Sequence, residues 1–398
     1  VKDVFIYDAI RSARTKARPD GGLHELTPSA LLKNLYQALE TRNTLDTMKI
    51  SEVILGCVTQ NGEQAANIAK TSALYAGWPT SVSGLTVHRF CSSSIDAVAL
   101  AGLKVAMGQT QAIVAGGVEM MSRVPMLSDN ARVFSDPDYA LQHQMLLMGS
   151  GADLIATRLG ATRDACDAVA LQSQHRAARA QQEGRFTSIV PIATSRGLIE
   201  KDECIRADVT AQQLARLPPA FRELGAAGAD QVQLAQHPEL GEIQHVHTAG
   251  NSPAMCDAAA LVLVGNEAFG HQSGLTPKAR LVASTTACGD PLEVVSGCVT
   301  VTEKLLLECQ LQTHQVDLFE IHEAFAATVI KTRETLEIDD ARLNVNGGVI
   351  ALGHPMGATG AIMMGTLIDE LTRQQLNRGI VAASGAAGSG SAILIERH

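Results

Sequence analysis

Two short segments at opposite ends of the chain hold the residues best suited to covalent chemistry. One is His88-Arg89-Phe90-Cys91-Ser92-Ser93-Ser94-Ile95-Asp96-Ala97, which sets a cysteine at an expected helix start. The other is Gly353-His354-Pro355-Met356-Gly357-Ala358-Thr359-Gly360, which sets a histidine in a glycine-rich turn. A cysteine attacks an acyl carbon as its thiolate, and a helix N-terminus or a paired histidine can supply that form at neutral pH. Three serines after Cys91 are placed to cap the helix, and the positive end of the helix dipole favours the thiolate. His354 can accept the cysteine proton and later donate to an oxyanion, while the glycines around it let backbone approach backbone. A second histidine, His322, follows an expected strand over 317–321 in His322-Glu323-Ala324-Phe325. It is either another imidazole of the site or a strand-end residue that bonds locally. Cys57, Cys166, Cys204, Cys288 and Cys309 are expected to be structural thiols.

Both segments, and their order, resemble the thiolases. A third segment, Ala383-Ser384-Gly385-Ala386-Ala387-Gly388-Ser389-Gly390, falls where that family carries a second catalytic cysteine; here the position is Ser384. In many thiolases the His322 position is an asparagine that holds a water at the oxyanion site. The His-Glu-Ala-Phe form resembles the branch linked to multifunctional fatty-acid oxidation. Thr248-Ala249-Gly250-Asn251-Ser252 resembles the segment beside the pantetheine, and Met148-Gly149 resembles the loop over the acyl pocket. The match departs at Leu147, Pro253, Ala258 and 294–298, all near the expected pocket, so the acyl preference stays open.

The resemblance implies Cys91 as nucleophile with His354, His322 and Ser384 as the rest of the catalytic set. It implies oxyanion donors on the backbone of Cys91 and Ala386, and substrate or coenzyme A contacts from Met148, Ser252 and Phe325. It implies an α/β fold of two βαβαβαββ halves in five αβαβα layers. The halves are 1–118 plus 251–268, and 269–398; the insert 119–250 is a loop domain that binds coenzyme A. Acyl-CoA and coenzyme A are then substrates, with no separate cofactor and no metal. The assembly would be a homodimer or homotetramer, with a fatty-acid oxidation subunit as a further partner. Ser384 leaves three readings open. The first is a thiolase in which another group, such as His322, covers the missing role. The second is an acyl-CoA hydrolase or other condensing enzyme on the same fold. The third is a non-catalytic acyl-CoA binder or structural subunit.

The elements that must position these residues repeat. Short apolar runs read as buried strands at 4–10, 53–58, 85–88 and 112–115, and again at 279–285, 316–321, 343–345 and 380–383. In each half the third strand leads into one of the two reactive turns and then a helix. Ile54 lies 37 positions before Cys91 and Phe319 lies 35 before His354. Each fourth strand is expected to end in a small-residue turn, Gly116-Gly117 or Ser384-Gly385. The helix after Cys91 carries Ile95, Val98, Ala99, Gly102, Val105 and Ala106 on one face, while the helix after His354 is apolar nearly all round and should be buried between layers. Strand character returns over 260–264. The intervening stretch contains Leu-Pro-Pro and His-Pro-Glu punctuation and a polar helix over 163–183, as an inserted lobe would.

Bulk properties agree with this frame. The 398 residues suffice for two or three domains. Hydrophobic residues make up 46% but aromatics only 3%, so the core must be aliphatic and small-residue rich. A net charge of −9 argues against a general nucleic-acid binder. No apolar run is long enough to span a bilayer and the N-terminus lacks a signal-peptide pattern. Eight scattered cysteines without a CxxC pair point to reduced thiols in the cytoplasm rather than a zinc site or a disulfide framework.

Overall fold

A computed structural model describes residues 2–398. Twelve strands are described: β1 Phe5–Arg11, β2 Thr15–Lys16, β3 Glu52–Gly56, β4 Ser83–Val87, β5 Ala112–Met120, β6 Ile192–Thr194, β7 Gly197–Ile199, β8 Cys256–Gly265, β9 Ala279–Cys288, β10 Leu318–Ile321, β11 Arg378–Ser384 and β12 Ser389–Arg397. The first half orders its strands β1-β8-β5-β3-β4, and the second orders them β9-β12-β11-β10. The outer pairings are parallel, two in the first half (β5-β3 and β3-β4) and one in the second (β11-β10), and the rest are antiparallel. The halves join where β1 meets β9, over Phe5↔Arg280 and Ile6↔Ala279 only. β1, β8, β5 and β3 thus answer to β9, β12, β11 and β10. The counterpart of β4 is the segment expected over 343–345. It is reduced to a single parallel bridge, Phe319↔Leu343, because Asn344 turns into the left-handed region at φ 45.

Alternation of side chains across the strands builds five layers. In β3, Val53 and Leu55 face the outer helices of the first half, while Ile54 faces inward. In β8, Ala259, Leu261 and Leu263 point outward, and Ala258, Ala260, Val262 and Val264 point inward. β11 and β12 do the same in the second half: Ile380, Ala382 and Leu394 go to the outer layer, Val381, Ala383 and Ile393 to the centre. The inward alanines leave room for two central helices, Ser93–Ala106 and Thr359–Gln374, which share one core with the strands of both halves. Helix Thr359–Gln374 is buried on nearly every side, as its composition requires. Helix Pro28–Asn43 packs outside the first sheet. Its start is fixed by proline at the first turn and by Thr27, whose hydroxyl accepts from the Ala30 N–H at 3.2 Å.

Gly116-Gly117 does not end a strand. β5 runs through it to Met120. The glycines are there because another chain segment presses on them: a Cβ at Gly117 would fall inside contact distance of the Gly357 carbonyl oxygen. Between β5 and β8 the chain makes a lobe of short helices with helices Met148–Leu159 and Arg163–Gln182 and the hairpin β6-β7. Among the described residues no helix is long and apolar enough to cross a membrane.

Candidate active site

The nucleophile turn is strained where it must be sharp. Phe90 holds φ 48, a left-handed conformation costing a non-glycine residue roughly 1–2 kcal/mol. The helix begins only at Ser93, and the N-cap Ser92 makes no side-chain capping bond. The three serines are used otherwise than as caps. Ser92 Oγ donates to the Arg89 carbonyl at 2.9 Å, and Ser93 Oγ accepts from the Arg89 N–H at 2.8 Å. Ser94 Oγ accepts from the Ala361 N–H at 2.9 Å, joining the two central helices. The hydroxyls therefore brace the turn and the interface between halves.

His354 reaches Cys91 from the other half. Its Nε2 lies 3.0 Å from Cys91 Sγ, and its Nδ1 lies 2.8 Å from Thr359 Oγ1. The His354 N–H donates to the Ala254 carbonyl at 2.8 Å, which aligns the turn beside residues 254–255. Gly353 sits at φ 95, outside the range open to most side chains. Glu119, at the end of β5, accepts from the Gly357 N–H at 3.0 Å, the Val58 N–H at 3.0 Å, the Thr59 N–H at 3.1 Å and Gln64 Nε2 at 2.7 Å. One buried carboxylate thus ties the histidine turn to the first-half sheet.

The electrostatics correct the expectation of a resting thiolate. Both residues keep some solvent contact, yet the surrounding protein excludes enough water to push the Cys91 thiol up to about 12, with the Glu119 carboxylate adding to the rise. Burial also pulls His354 well below the usual imidazole range, and His322 and Arg14 act in the same direction. The pair therefore rests neutral: the thiol donates to Nε2, which requires the His354 proton on Nδ1, donating to Thr359.

His322 stands beside His354 with ring centroids 4.5 Å apart and planes at 39°. It is 2% exposed, and neither ring nitrogen has a hydrogen-bond partner among the described residues. Burial pulls its pKa down to about 4, and the backbone of Ser384 acts in the opposite direction. His322 is thus a neutral imidazole, and it does not bond locally as a strand-end residue would.

Ser384 is committed elsewhere. Its hydroxyl donates to the Val295 carbonyl at 2.8 Å and accepts from the Cys298 N–H at 2.9 Å, at the start of helix Gly297–Glu308. The N–H groups of Cys91 and Ala386 are taken up by no other described residue. Phe325 packs edge-on against Phe221 at 5.6 Å and His247 at 5.5 Å, in the same apolar cluster that Met148 and Phe90 border. Ser252 lies between Asn251, whose carbonyl accepts from the Ala326 N–H, and Ala254, which holds His354; its hydroxyl has no partner. Thr359, Glu119 and Arg14 escaped the sequence reading. Thr359 was inside a quoted motif, and Glu119 was a lone carboxylate in an apolar strand.

Comparison with known proteins matches two family models: the thiolase N-terminal domain over residues 4–233 and the thiolase C-terminal domain over 275–397. The chain belongs to the thiolase family. It is 34% identical to a 3-ketoacyl-CoA thiolase of Colwellia psychrerythraea, over the full length of both proteins. It is 35% identical to a beta-ketoadipyl-CoA thiolase of Pseudomonas aeruginosa, over all of this chain and 99% of that protein. The crystal structure of the Bacillus anthracis acetyl-CoA acetyltransferase superposes with a TM-score of 0.85 at 33% identity, covering 100% of this chain and 99% of that one. The thiolase-like α/β fold expected from the motifs is therefore the fold of this chain.

Proposed function

We propose that this thiolase-family protein is an acyl-CoA C-acyltransferase that cleaves 3-ketoacyl-CoA with coenzyme A, or runs the reverse condensation, through an acyl-Cys91 intermediate. The observation that carries this is the 3.0 Å approach of Cys91 Sγ to His354 Nε2 across the two halves. A neutral pair suits the step: the thiol proton passes to Nε2 as sulfur attacks the keto carbon. The oxyanion so formed meets the N–H groups of Cys91 and Ala386 or that of neutral His322. Collapse breaks the bond between C2 and C3. The electron pair leaves on the acetyl-CoA enolate, which takes the proton from His354 and departs. Coenzyme A then gives its thiol proton to His354 and attacks the thioester; the Cys91 thiolate leaves and takes that proton back. The two imidazoles cover only part of the role of the absent second cysteine, whose thiol would supply the rest.

Met148, Phe325 and the unpaired Ser252 hydroxyl are assigned to the acyl-pantetheine channel, and the exposed Arg216 and Arg222 of the lobe to the phosphates. The lobe over 119–250 is read as the coenzyme A loop domain between halves 1–118 plus 251–268 and 269–398. Eight free cysteines fit a reducing, cytoplasmic setting. A homodimer is assigned to the free edge of β4. A fatty-acid oxidation subunit is a further candidate partner, on the His-Glu-Ala-Phe motif alone.

The committed Ser384 hydroxyl favours one second reading, in which water rather than coenzyme A resolves acyl-Cys91. Coenzyme A release and acyl-CoA formation, followed in parallel over several chain lengths, separate the two. Cys91→Ala should abolish the acyl mass adduct, and a persisting adduct overturns the assignment. Ser384→Cys should raise thiolysis while acylation stays nearly unchanged; unchanged thiolysis would mean the histidines already fill the role.

A further inference from the structure

Arg11 and Arg14 are both buried, but their guanidinium groups are held differently. Arg11 forks onto Asp202, with bonds of 2.7 and 2.9 Å, and also donates to the Ser12 carbonyl. Arg14 makes one side-chain hydrogen bond, from Nη1 to the Gly353 carbonyl at 3.2 Å, immediately before His354. Its Nε has no partner, as is also true of Arg11, so the difference lies in the terminal nitrogens. That side chain borders a small recess of about 10 Å³, lined also by Glu320, His322, Leu352, Met363 and Thr366. Glu320 and His322 are two apart at the end of β10, so both side chains fall on the same face. The volume is about that of one water, and the lining supplies several polar groups, as a buried water requires.

We propose that Arg14 is a positioning residue for His322, acting through one water held between Arg14, Glu320 and the imidazole. This rests on the reading of His322 as an oxyanion donor. A guanidinium has donors only. A water beside it accepts from Arg14 and turns its two hydrogens outward, one to the carbonyl oxygen of the Glu320 carboxyl and one to the recess-facing nitrogen of His322. That nitrogen becomes the acceptor, so the other carries the proton. The N–H then faces away from the recess, where an oxyanion needs it. Without Arg14 nothing fixes the direction of the water: the Glu320 carboxyl, which burial keeps protonated, can donate or accept, so the imidazole proton is no longer held to one nitrogen. The positive charge also disfavours protonation of His354, which agrees with the depression of that residue. Burial pushes the Glu320 carboxyl up and Arg14 opposes that rise.

The ring nitrogens of His322 can be read by ¹⁵N NMR in the full-length protein. The native chain should show one tautomer, and Arg14→Met should shift it toward the other or to a mixture. Arg14→Gln, which keeps a donor without the charge, should give a mixture and serves if the methionine variant does not fold. Acylation of Cys91 should fall about 10-fold in Arg14→Met, a part of the ~10²–10³-fold that an oxyanion donor commands. In a His322→Asn background the same change should cost less than about 2-fold, since the amide has no tautomer to set. An unchanged tautomer in a folded Arg14 variant, or an equal loss in both backgrounds, overturns the proposal. If the native chain forms no acyl adduct, the acyltransfer reading fails, while the tautomer measurement still decides the role of Arg14.

Discussion

At the scale of single residues, two imidazoles and one thiol share a site in which burial keeps all three neutral. His354 and His322 face each other at 4.5 Å, and a proton on either would repel one on the other. Burial decides the matter for His322, whose pKa falls from 6.5 to about 4. A depressed folded-state value means that this contribution to stability is whole above pH 6.5 and is lost as pH falls through 4. The shift is worth about 3 kcal/mol. Melting temperature should therefore drop across pH 6.5 to 4, and His322→Asn should flatten that drop. An identical slope in the variant would show that His322 titrates normally. Little of this was open to sequence reasoning. The motif named Cys91 and His354, but the helix-dipole argument predicted a thiolate, because the burial that raises the thiol arises only when the chain is folded. A partner 263 positions away is not a local signal.

At the scale of elements, the site depends on how closely the histidine turn can settle against β5. Gly117 lies under the Gly357 carbonyl, and a Cβ at Gly357 would come within 2.8 Å of Cys57 Cα. Glu119, two residues further along β5, draws the Gly357 N–H inward. Close packing and a buried carboxylate thus hold the same turn. Gly117→Ala should push the turn outward. A displacement near 1 Å at reacting groups costs about 10²-fold in rate, so acylation of Cys91 should fall by about that factor. Circular dichroism should remain native, since β5 keeps its pairing with β3 and β8. Unimpaired acylation would mean that the turn is positioned by His354 and Ala254 alone. The sequence reading took Gly116-Gly117 for the end of a strand, because paired glycines usually mark turns. Only a tertiary neighbour reveals them as clearance inside a strand.

At the scale of the whole molecule, the duplication was legible because it is written in strand order, and strand order leaves apolar runs at similar spacings. The missing strand at 343–345 was not legible, since one left-handed asparagine suffices to end it. That loss makes the two halves unequal. β10 is flanked by the Leu343 bridge, whereas β4 ends the sheet with its outer edge unpaired by any described strand. Such an edge invites pairing. Around it lie Leu85 at 37% exposure, Leu103 at 56% and Met107 at 76%. A groove of about 340 Å³ runs along helix Ser93–Ala106, lined in part by Leu100, Leu103 and Thr285. A second copy meeting β4 edge to edge would bury Leu85 and continue the sheet across the contact. β4 also leads directly into the turn that carries Cys91, so the same contact would stiffen the nucleophile. Sedimentation at micromolar concentration should give twice the 42.0 kDa chain mass or a multiple of it. Leu85→Lys places a charge on the edge and should shift the protein toward monomer, with slower acylation of Cys91. A native monomer, or a lysine variant that keeps both its mass and its rate, would show that β4 is not where the copies meet.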